Sequence, residues 1–183
     1  MKKKPLIALS WSIVFSGAAC SPTEPGVIQR DCQDVMDQFT TAYNEMNLEN
    51  YADCFTDDFV FNVHSAEWWG PSPSYPDSVW YLDTELMFAE AMFEAADSIS
   101  LELEVVSMEP FPEDSSRMRI SCEFDVKAML FDFTGYRAAG DAVFSAVEVS
   151  DGVWSISEWT DYSEVKERCT WSRLKWVFYE GAP

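Results

Sequence analysis

The stretch "NYADCFTDDFVF", residues 50–61, places two adjacent acids directly before an apolar run. Up to the acids, apolar residues recur at steps of three and four, as on one face of a short helix: Leu48, Tyr51, Ala52 and Phe55. Asp57 and Asp58 are typical of a turn that ends a helix, and Phe59–Val63 has the composition of a strand. The stretch therefore predicts a helix-to-strand junction, with the chain's only histidine, His64, directly behind it.

Two further helices are predicted on either side of this junction. From Asp31 to Met46 the apolar residues again follow steps of three and four, which indicates one buried face. Asp31 or Asp34 suits its first turn, because a helix N-terminus favours negative charge. A proline-rich loop, residues 70–76, separates the first strand from a third helix over about 78–96.

The second half of the chain alternates apolar and polar residues with the period of a strand. Four strands are predicted in this way: Ile99–Val105, Met118–Leu130, Tyr136–Val149 and Val153–Tyr162. The last two are joined at Asp151-Gly152, a typical hairpin turn. Helices early and strands late predict a single α+β domain, in which one curved antiparallel sheet is crossed by the helices and encloses a cone.

The first nineteen residues have the pattern of a secretory signal peptide. Three lysines precede a short apolar run, and small residues stand before Cys20. This ending resembles the bacterial lipobox, in which the cysteine carries the lipid (palmitate among its acyl chains), although Gly17 departs from the usual large aliphatic residue. We therefore expect residues 1–19 to be a signal, 20–29 a polar tether and 30–183 the folded domain.

Lipidation at Cys20 predicts a lipoprotein of the Gram-negative periplasm or outer membrane. The resemblance to Gram-negative lipoproteins implies, by their sorting rule, that Ser21 would permit outer-membrane delivery. The alternative is ordinary cleavage near Ala19, which leaves a soluble periplasmic protein. The apolar run is too short to span a bilayer, which takes roughly 20 residues.

The charge of the chain limits its partners. The whole sequence has a formal charge of −20, and the signal contains three lysines and no acids. The remainder therefore has nine basic and 32 acidic residues, a formal charge of −23. Such a surface repels nucleic acid, which we exclude as a partner, and allows a cationic ligand or partner. With one histidine and no CxxC pair, the sequence predicts neither a metal nor a cofactor.

Four cysteines follow the lipobox: Cys32, Cys54, Cys122 and Cys169. An even number in an oxidising compartment favours disulfides, and free buried thiols are the alternative. In a simple helical hairpin Cys32 and Cys54 differ in height by roughly 10 Å, so a bridge between them is disfavoured.

The tail, residues 170–179, is apolar and basic together: Trp171, Arg173, Leu174, Lys175, Trp176, Val177 and Phe178. We expect it to cover the outer face of the sheet as an extra element. The alternative is an exposed patch for a partner.

The order of elements and two motifs carry a resemblance to a known family. "NYADCFTDDFVF" stands early, and "GVWSISEWTD", residues 152–161, stands late with Gly140, Ala142 and Phe144 before it. Residues 30–162 thereby resemble the NTF2-like superfamily, which includes the SnoaL-like and ketosteroid isomerase-like proteins. The resemblance implies the cone fold and leaves the activity open, because this fold hosts enzymes, binding modules and oligomerisation domains alike.

The resemblance also places candidate catalytic residues. In ketosteroid isomerases a carboxylate base follows such an acidic pair, at a place that falls here on Val63 or His64, so the isomerase mechanism is not supported. His64 is instead a candidate general base that Asp58 or Asp161 would orient. Tyr43 is a candidate oxyanion stabiliser. The alternative is that the acids are structural and His64 ends a strand.

Several large aromatic residues either line a ligand cavity or fill the core of the cone: Trp68, Trp69, Trp80, Tyr81, Trp154 and Trp159. Trp68 and Trp69 stand beside the proline-rich loop and are the candidates for the rim of an opening.

Three functions remain open on the sequence. The leading hypothesis is a membrane-anchored, non-enzymatic module that binds a small apolar ligand or a protein partner. The second is a SnoaL-like isomerase, hydratase or hydrolase of a small organic substrate. The third is a structural domain that forms a homodimer through the open face of its sheet.

Overall fold

The computed structural model describes residues 31–63, 79–162 and 169–181. Along the chain the elements are α1 (Cys32–Asn44), α2 (Leu48–Ala52), β1 (Phe55–Val63), β2 (Val79–Tyr81), α3 (Leu82–Ala95), β3 (Ala96–Phe111), β4 (Asp114–Leu130), β5 (Gly135–Ser150), β6 (Val153–Tyr162) and α4 (Trp171–Tyr179). The signal peptide, Cys20, the tether, His64, Trp68 and Trp69 lie outside the described residues. The predicted α+β class is confirmed.

The first two helices begin where the sequence places capping side chains. The Asp31 carboxylate accepts from the Asp34 backbone N–H at 2.9 Å, and the Asn47 side chain accepts from the Asn50 N–H at 3.1 Å. Each cap satisfies a donor that the first turn of a helix leaves open. The prediction of an acid in the first turn of α1 is confirmed at Asp34, and Asp31 is the N-cap residue.

The six strands form one sheet in the order β2-β1-β6-β5-β4-β3. Neighbouring strands are antiparallel except β1 and β6, which are parallel. The expectation of an antiparallel sheet throughout is therefore wrong at this pair. The reason is topological. The strands from β3 to β6 follow one another as antiparallel neighbours, and the last of them, β6, lies beside β1 and runs in the same direction.

The acidic pair lies inside β1 rather than before it. Phe55 is opposite Ile156 and Val60 is opposite Glu158. Between these two pairs β1 moves on by five residues, whereas β6 moves on by only two. This bulge contains Asp57 and Asp58, and both are exposed. Acids suit a bulge that leaves the ladder and meets solvent. They thus interrupt the strand instead of ending the helix.

The two faces of the sheet differ sharply. On β4 the inner face is apolar and buried, with Ile120, Cys122, Phe124, Val126 and Ala128. The outer face is charged, and Arg137 forms a forked ion pair there with Asp125 at 2.8 and 2.5 Å. A homodimer through this face stays a prediction, and it would have to bury charged side chains rather than an apolar surface.

The C-terminal tail is a helix inside the cone, so the expectation that it covers the outer face is wrong. Trp171, Leu174 and Phe178 lie on one side of α4 and are buried. The Trp171 ring contacts those of Phe39 and Phe124 at 5.7 and 5.1 Å between centroids. The reason is that an apolar helix face needs an apolar surface to pack on, and only the inner face of the sheet offers one.

Cys32, Cys54, Cys122 and Cys169 form no disulfide in the structure, so the expectation of disulfides is wrong here. Burial raises the pKa of Cys32, Cys54 and Cys122 to about 12 in each case. The Cys54 thiol donates to the Asn50 carbonyl at 3.3 Å. Among the described helices, none is long and apolar enough to cross a membrane.

Candidate functional site

A buried ion pair stands at the centre of the cone. Lys175 of α4 donates from Nζ to Glu85 Oε1 of α3 at 2.6 Å, and both side chains are inaccessible to solvent. Taking two charges out of water is costly unless each is paired and hydrogen-bonded. The pair joins α4 to α3. Because neither side chain contacts solvent, each charge depends on the other to offset the loss of its hydration.

Glu85 is held by two further donors. The Tyr51 hydroxyl donates to Oε1 at 2.6 Å, and Trp80 Nε1 donates to Oε2 at 2.9 Å. The Trp80 ring stacks on Phe61 with 4.0 Å between centroids and 5° between planes. Because both oxygens accept from rigid aromatic donors, the carboxylate has one fixed orientation.

The Lys175 ammonium lies against aromatic faces on its other side. Nζ is 3.8 Å from the centroid of Trp159, 4.9 Å from that of Phe61 and 5.7 Å from that of Trp171. These distances are in the range of cation–π attraction. Burial lowers the pKa of Lys175, and the negative charges of Glu85 and Asp161 oppose that shift.

Tyr43, the candidate oxyanion stabiliser, already has partners for its hydroxyl. It accepts from Trp171 Nε1 at 2.7 Å and donates to Met92 Sδ at 3.2 Å. Burial raises the pKa of Tyr43 well above its ordinary value. In this state the hydroxyl serves to hold α4 in place and is not presented to a substrate.

Asp161, the candidate orienting carboxylate, also engages α4. Its Oδ2 accepts from the Ser172 backbone N–H at 2.8 Å, in the first turn of that helix. Its Oδ1 is buried and has no hydrogen-bond partner in the described part of the chain. Burial raises the pKa of Asp161 to about 6, while the Ser172 N–H and the charge of Lys175 act in the opposite direction.

This pKa predicts a pH dependence of stability. An acid with a raised folded-state pKa binds its proton more tightly when folded, so its contribution is largest below its ordinary pKa of 3.8 and is lost as pH rises through about 6. We expect Asp161→Asn to reduce the fall in unfolding free energy between pH 4 and 7. Urea unfolding of both proteins at each pH measures this, and identical slopes would contradict it.

The structure brings only some of the candidate residues together. Tyr43, Asp161, Trp80 and Trp159 are buried in the cone around α4. Asp58 is exposed on the bulge of β1, and Tyr81 is 63% exposed. Trp154 is half-buried at the edge of the core. Catalysis by His64 stays a prediction.

Sequence analysis missed Glu85, and it left Lys175 among the residues of a surface tail. A periodic signal was present for both. Glu85 shares the buried stripe of α3 with Phe88 and Met92, at steps of three and seven. Lys175 stands four residues after Trp171 on the buried stripe of α4. An acid and a base that interrupt two apolar stripes predict a buried pair between the helices.

No protein-family model and no curated protein matches this chain. Solved structures do. An NTF2-like superfamily protein from Salmonella enterica superposes with a TM-score of 0.56 at 9% identity, covering 73% of this chain and 89% of that one. A ketosteroid isomerase-like protein from Erwinia carotovora superposes with a TM-score of 0.53 at 15% identity, covering 72% of this chain and 93% of that one. A hexachlorocyclohexane dehydrochlorinase from Novosphingobium barchaimii superposes with a TM-score of 0.53 at 10% identity, covering 73% of this chain and 84% of that one.

Likeness at this level of identity concerns the architecture alone. The chain has the NTF2-like fold, an α+β cone in which helices pack across one curved mixed sheet of six strands.

Proposed function

We propose that this protein is a membrane-tethered, non-enzymatic module that binds a protein partner through the tip of its β4–β5 hairpin. The observation that carries the proposal is Phe133, which is 87% exposed and has a backbone φ of 67°. A bulky residue with positive φ is strained, and such strain clusters at functional sites. Its neighbour Phe131 is 71% exposed.

The geometry of the tip explains why the strain is informative. Phe133 N–H donates to the Leu130 carbonyl at 2.9 Å, and Leu130 N–H donates to the Thr134 carbonyl at 2.9 Å. This is a three-residue hairpin loop, whose last position is left-handed and is normally glycine or asparagine. Phenylalanine here costs stability and places its ring in solvent, which indicates that the ring is kept for a contact outside the domain.

The filled cone supports a surface function over an enzymatic one. The hydroxyl of Tyr43 and one oxygen of Asp161 are used by α4, and Lys175 occupies the space beside Glu85. These side chains are buried, so a small substrate does not reach any of them in this state.

We expect Phe133→Gly to raise the free energy of unfolding by about 1 kcal/mol, because glycine adopts positive φ without steric cost. Phe131→Gly is the matched control. It replaces a neighbouring exposed phenylalanine whose φ is not positive, and we expect it to lower stability slightly. Thermal unfolding of the three proteins measures both changes. A Phe133→Gly protein less stable than the parent would remove the strain on which the proposal rests.

The binding claim is tested by photocrosslinking in cells that make the anchored protein. Benzoylphenylalanine replaces Phe133 in one variant and Val149, which is 53% exposed near the other end of β5, in a control. A discrete adduct that forms only from position 133, and that disappears when Phe131→Gly is added, supports the proposal. The same adducts from both positions, or none, would contradict it.

The anchor is part of the same proposal. Burial is the main cause of the raised pKa of Cys32, where the domain begins, and the charges of Asp31 and of nearby Glu148 add to it. Glu148 is near the end of β5, whereas the hairpin tip precedes its start, so the two are separated by nearly the whole strand, at most roughly 50 Å along its path. A tether on Cys20 would then hold the domain at one end and present Phe131 and Phe133 at the other, away from the bilayer.

We expect Cys20→Ser to move the protein from the membrane fraction to the soluble fraction, because the lipid is attached through the thiol. Cell fractionation followed by immunoblotting measures this, and Cys32→Ser, a change at a thiol inside the domain, serves as the control. If the Cys20→Ser protein stays with the membranes, the anchor is not at Cys20.

An enzyme of the SnoaL-like kind is the second candidate, and one observation favours it. Asp161 Oδ1 is buried without a partner in the described part of the chain, as expected of a carboxylate that orients a base. His64 would be that base. The test is the turnover of a small organic substrate by the parent protein. If that activity is lost in His64→Ala and retained in Tyr81→Ala, the enzymatic function is favoured over the binding module.

A further inference from the structure

We propose that the cone contains a binding site for an organic primary ammonium ion, and that the chain fills this site with its own Lys175. This goes beyond the proposed surface function, because it concerns the interior. The claim has two parts: the site keeps its shape without the lysine head, and its chemistry selects a cation.

The groups around the ammonium come mostly from elements other than α4. Glu85 is on α3, Tyr51 on α2, Phe61 on β1, Trp80 on β2 and Trp159 on β6. Their contacts with one another do not involve α4: Tyr51 and Trp80 donate to Glu85, and Trp80 stacks on Phe61. Trp171 is the one aromatic neighbour that α4 itself supplies, at 5.7 Å. The Trp159 ring packs on Phe61 at 4.8 Å and on Trp171 of α4 at 4.6 Å. The carboxylate and the rings of Phe61, Trp80 and Trp159 therefore contact one another without the lysine head.

These groups select a cation over a neutral or anionic molecule. Glu85 has two neutral donors and needs a positive charge to offset its burial. The face of Trp159, 3.8 Å from the ammonium, adds attraction that a neutral group of the same shape would lose. An acidic surface further concentrates organic cations around the domain.

Two buried polar atoms near Lys175 are left unused by it. In the described part of the chain, neither Trp159 Nε1 nor Asp161 Oδ1 has a hydrogen-bond partner. The Trp159 ring contacts the ammonium, and the charge of Asp161 acts on its pKa. A buried unpaired donor and acceptor are costly in a protein interior. Trp159 Nε1 is a donor, and the lysine head has no acceptor to offer it, so an amine that also has an acceptor group would satisfy it.

Lys175 has a large advantage over a free amine, because attachment to the chain gives it a high effective concentration. The site must therefore be tested with the lysine head removed. Lys175→Ala leaves a space that n-propylammonium matches atom for atom, and 1-propanol has the same length without the charge. The probes are these two compounds, added to the full chain at constant ionic strength.

We expect n-propylammonium to raise the melting temperature of the Lys175→Ala protein in a saturable manner, by about 3–6 °C at ten times its Kd. We expect no rise with 1-propanol, none in the parent protein, whose site is occupied, and none in a Lys175→Ala, Glu85→Gln double variant. The matched control Val177→Ala shortens a half-buried side chain of the same helix and should not respond.

The opposite results overturn the proposal. It fails if n-propylammonium and 1-propanol act alike, or if the double variant responds as strongly as the single one. Should Lys175→Ala be unfolded in buffer alone, n-propylammonium must restore its near-ultraviolet circular dichroism, and a failure to do so overturns the proposal equally. None of these readouts depends on the hairpin tip, so the surface function stands or falls separately.

Discussion

Lys175→Met is expected to lower the free energy of unfolding by about 3–5 kcal/mol, the usual cost of leaving a buried charge without its partner. Methionine keeps most of the volume of the lysine, so the loss reports the uncompensated Glu85 carboxylate rather than a cavity. Urea unfolding at pH 7 measures it, with the m-value checked for constancy.

The matched control is the double variant Glu85→Gln, Lys175→Met, in which both charges are absent. Glutamine can still accept from Trp80 Nε1 and donate to the Tyr51 hydroxyl, so most of the lost stability should return. Glu85→Gln alone completes the comparison. If the double variant loses as much stability as Lys175→Met and Glu85→Gln together, Lys175 and Glu85 do not interact, and α4 does not hold the lysine against the carboxylate.

Trp171→Ala is the second change with a large expected effect, a loss of about 3–5 kcal/mol. The indole is fully buried and packs against Phe39, Tyr43 and Trp159. Its removal leaves a cavity at the centre of the cone, and it takes from the Tyr43 hydroxyl its hydrogen-bond donor.

Tyr179→Ala separates this effect from a general weakening of α4. Tyr179 is on the same helix, is 43% exposed and contacts Phe88 from the outside of the core. We expect a loss of about 1 kcal/mol or less for it. Equal losses for the two variants would mean that Trp171 lies at the surface.

Much of the fold follows from local patterns. The strands from β3 to β6 alternate over many residues, and α1 carries its apolar stripe behind a capping Asp31, so their existence was predictable. The predicted bounds were close except for β3, which extends from Ala96 to Phe111 rather than from Ile99 to Val105. The motif around Asp57 and Asp58 was predictable as a junction. Its bulge was not, because a bulge depends on the strand that lies opposite, here β6.

The interior of the cone was less predictable, for two physical reasons. A basic residue in an apolar tail is usually exposed, and Lys175 is buried only because Glu85, 90 positions earlier, neutralises it. Tyr43 and Asp161 are polar residues on inward-facing positions, which is equally typical of a catalytic site and of a helix-docking site. The choice between them depends on where α4 lies, and no local pattern gives that position.

The central claim is that α4 fills the cone and holds Lys175 against Glu85. Acetylation of the folded protein with acetic anhydride, read by peptide mass spectrometry, tests it most directly. Lys127, whose side chain is 43% exposed, is the internal reference. If the claim is right, Lys127 reacts at once, and Lys175 reacts only as fast as the protein opens or unfolds. Acetylation of Lys175 at the rate of Lys127 in the folded protein would contradict it.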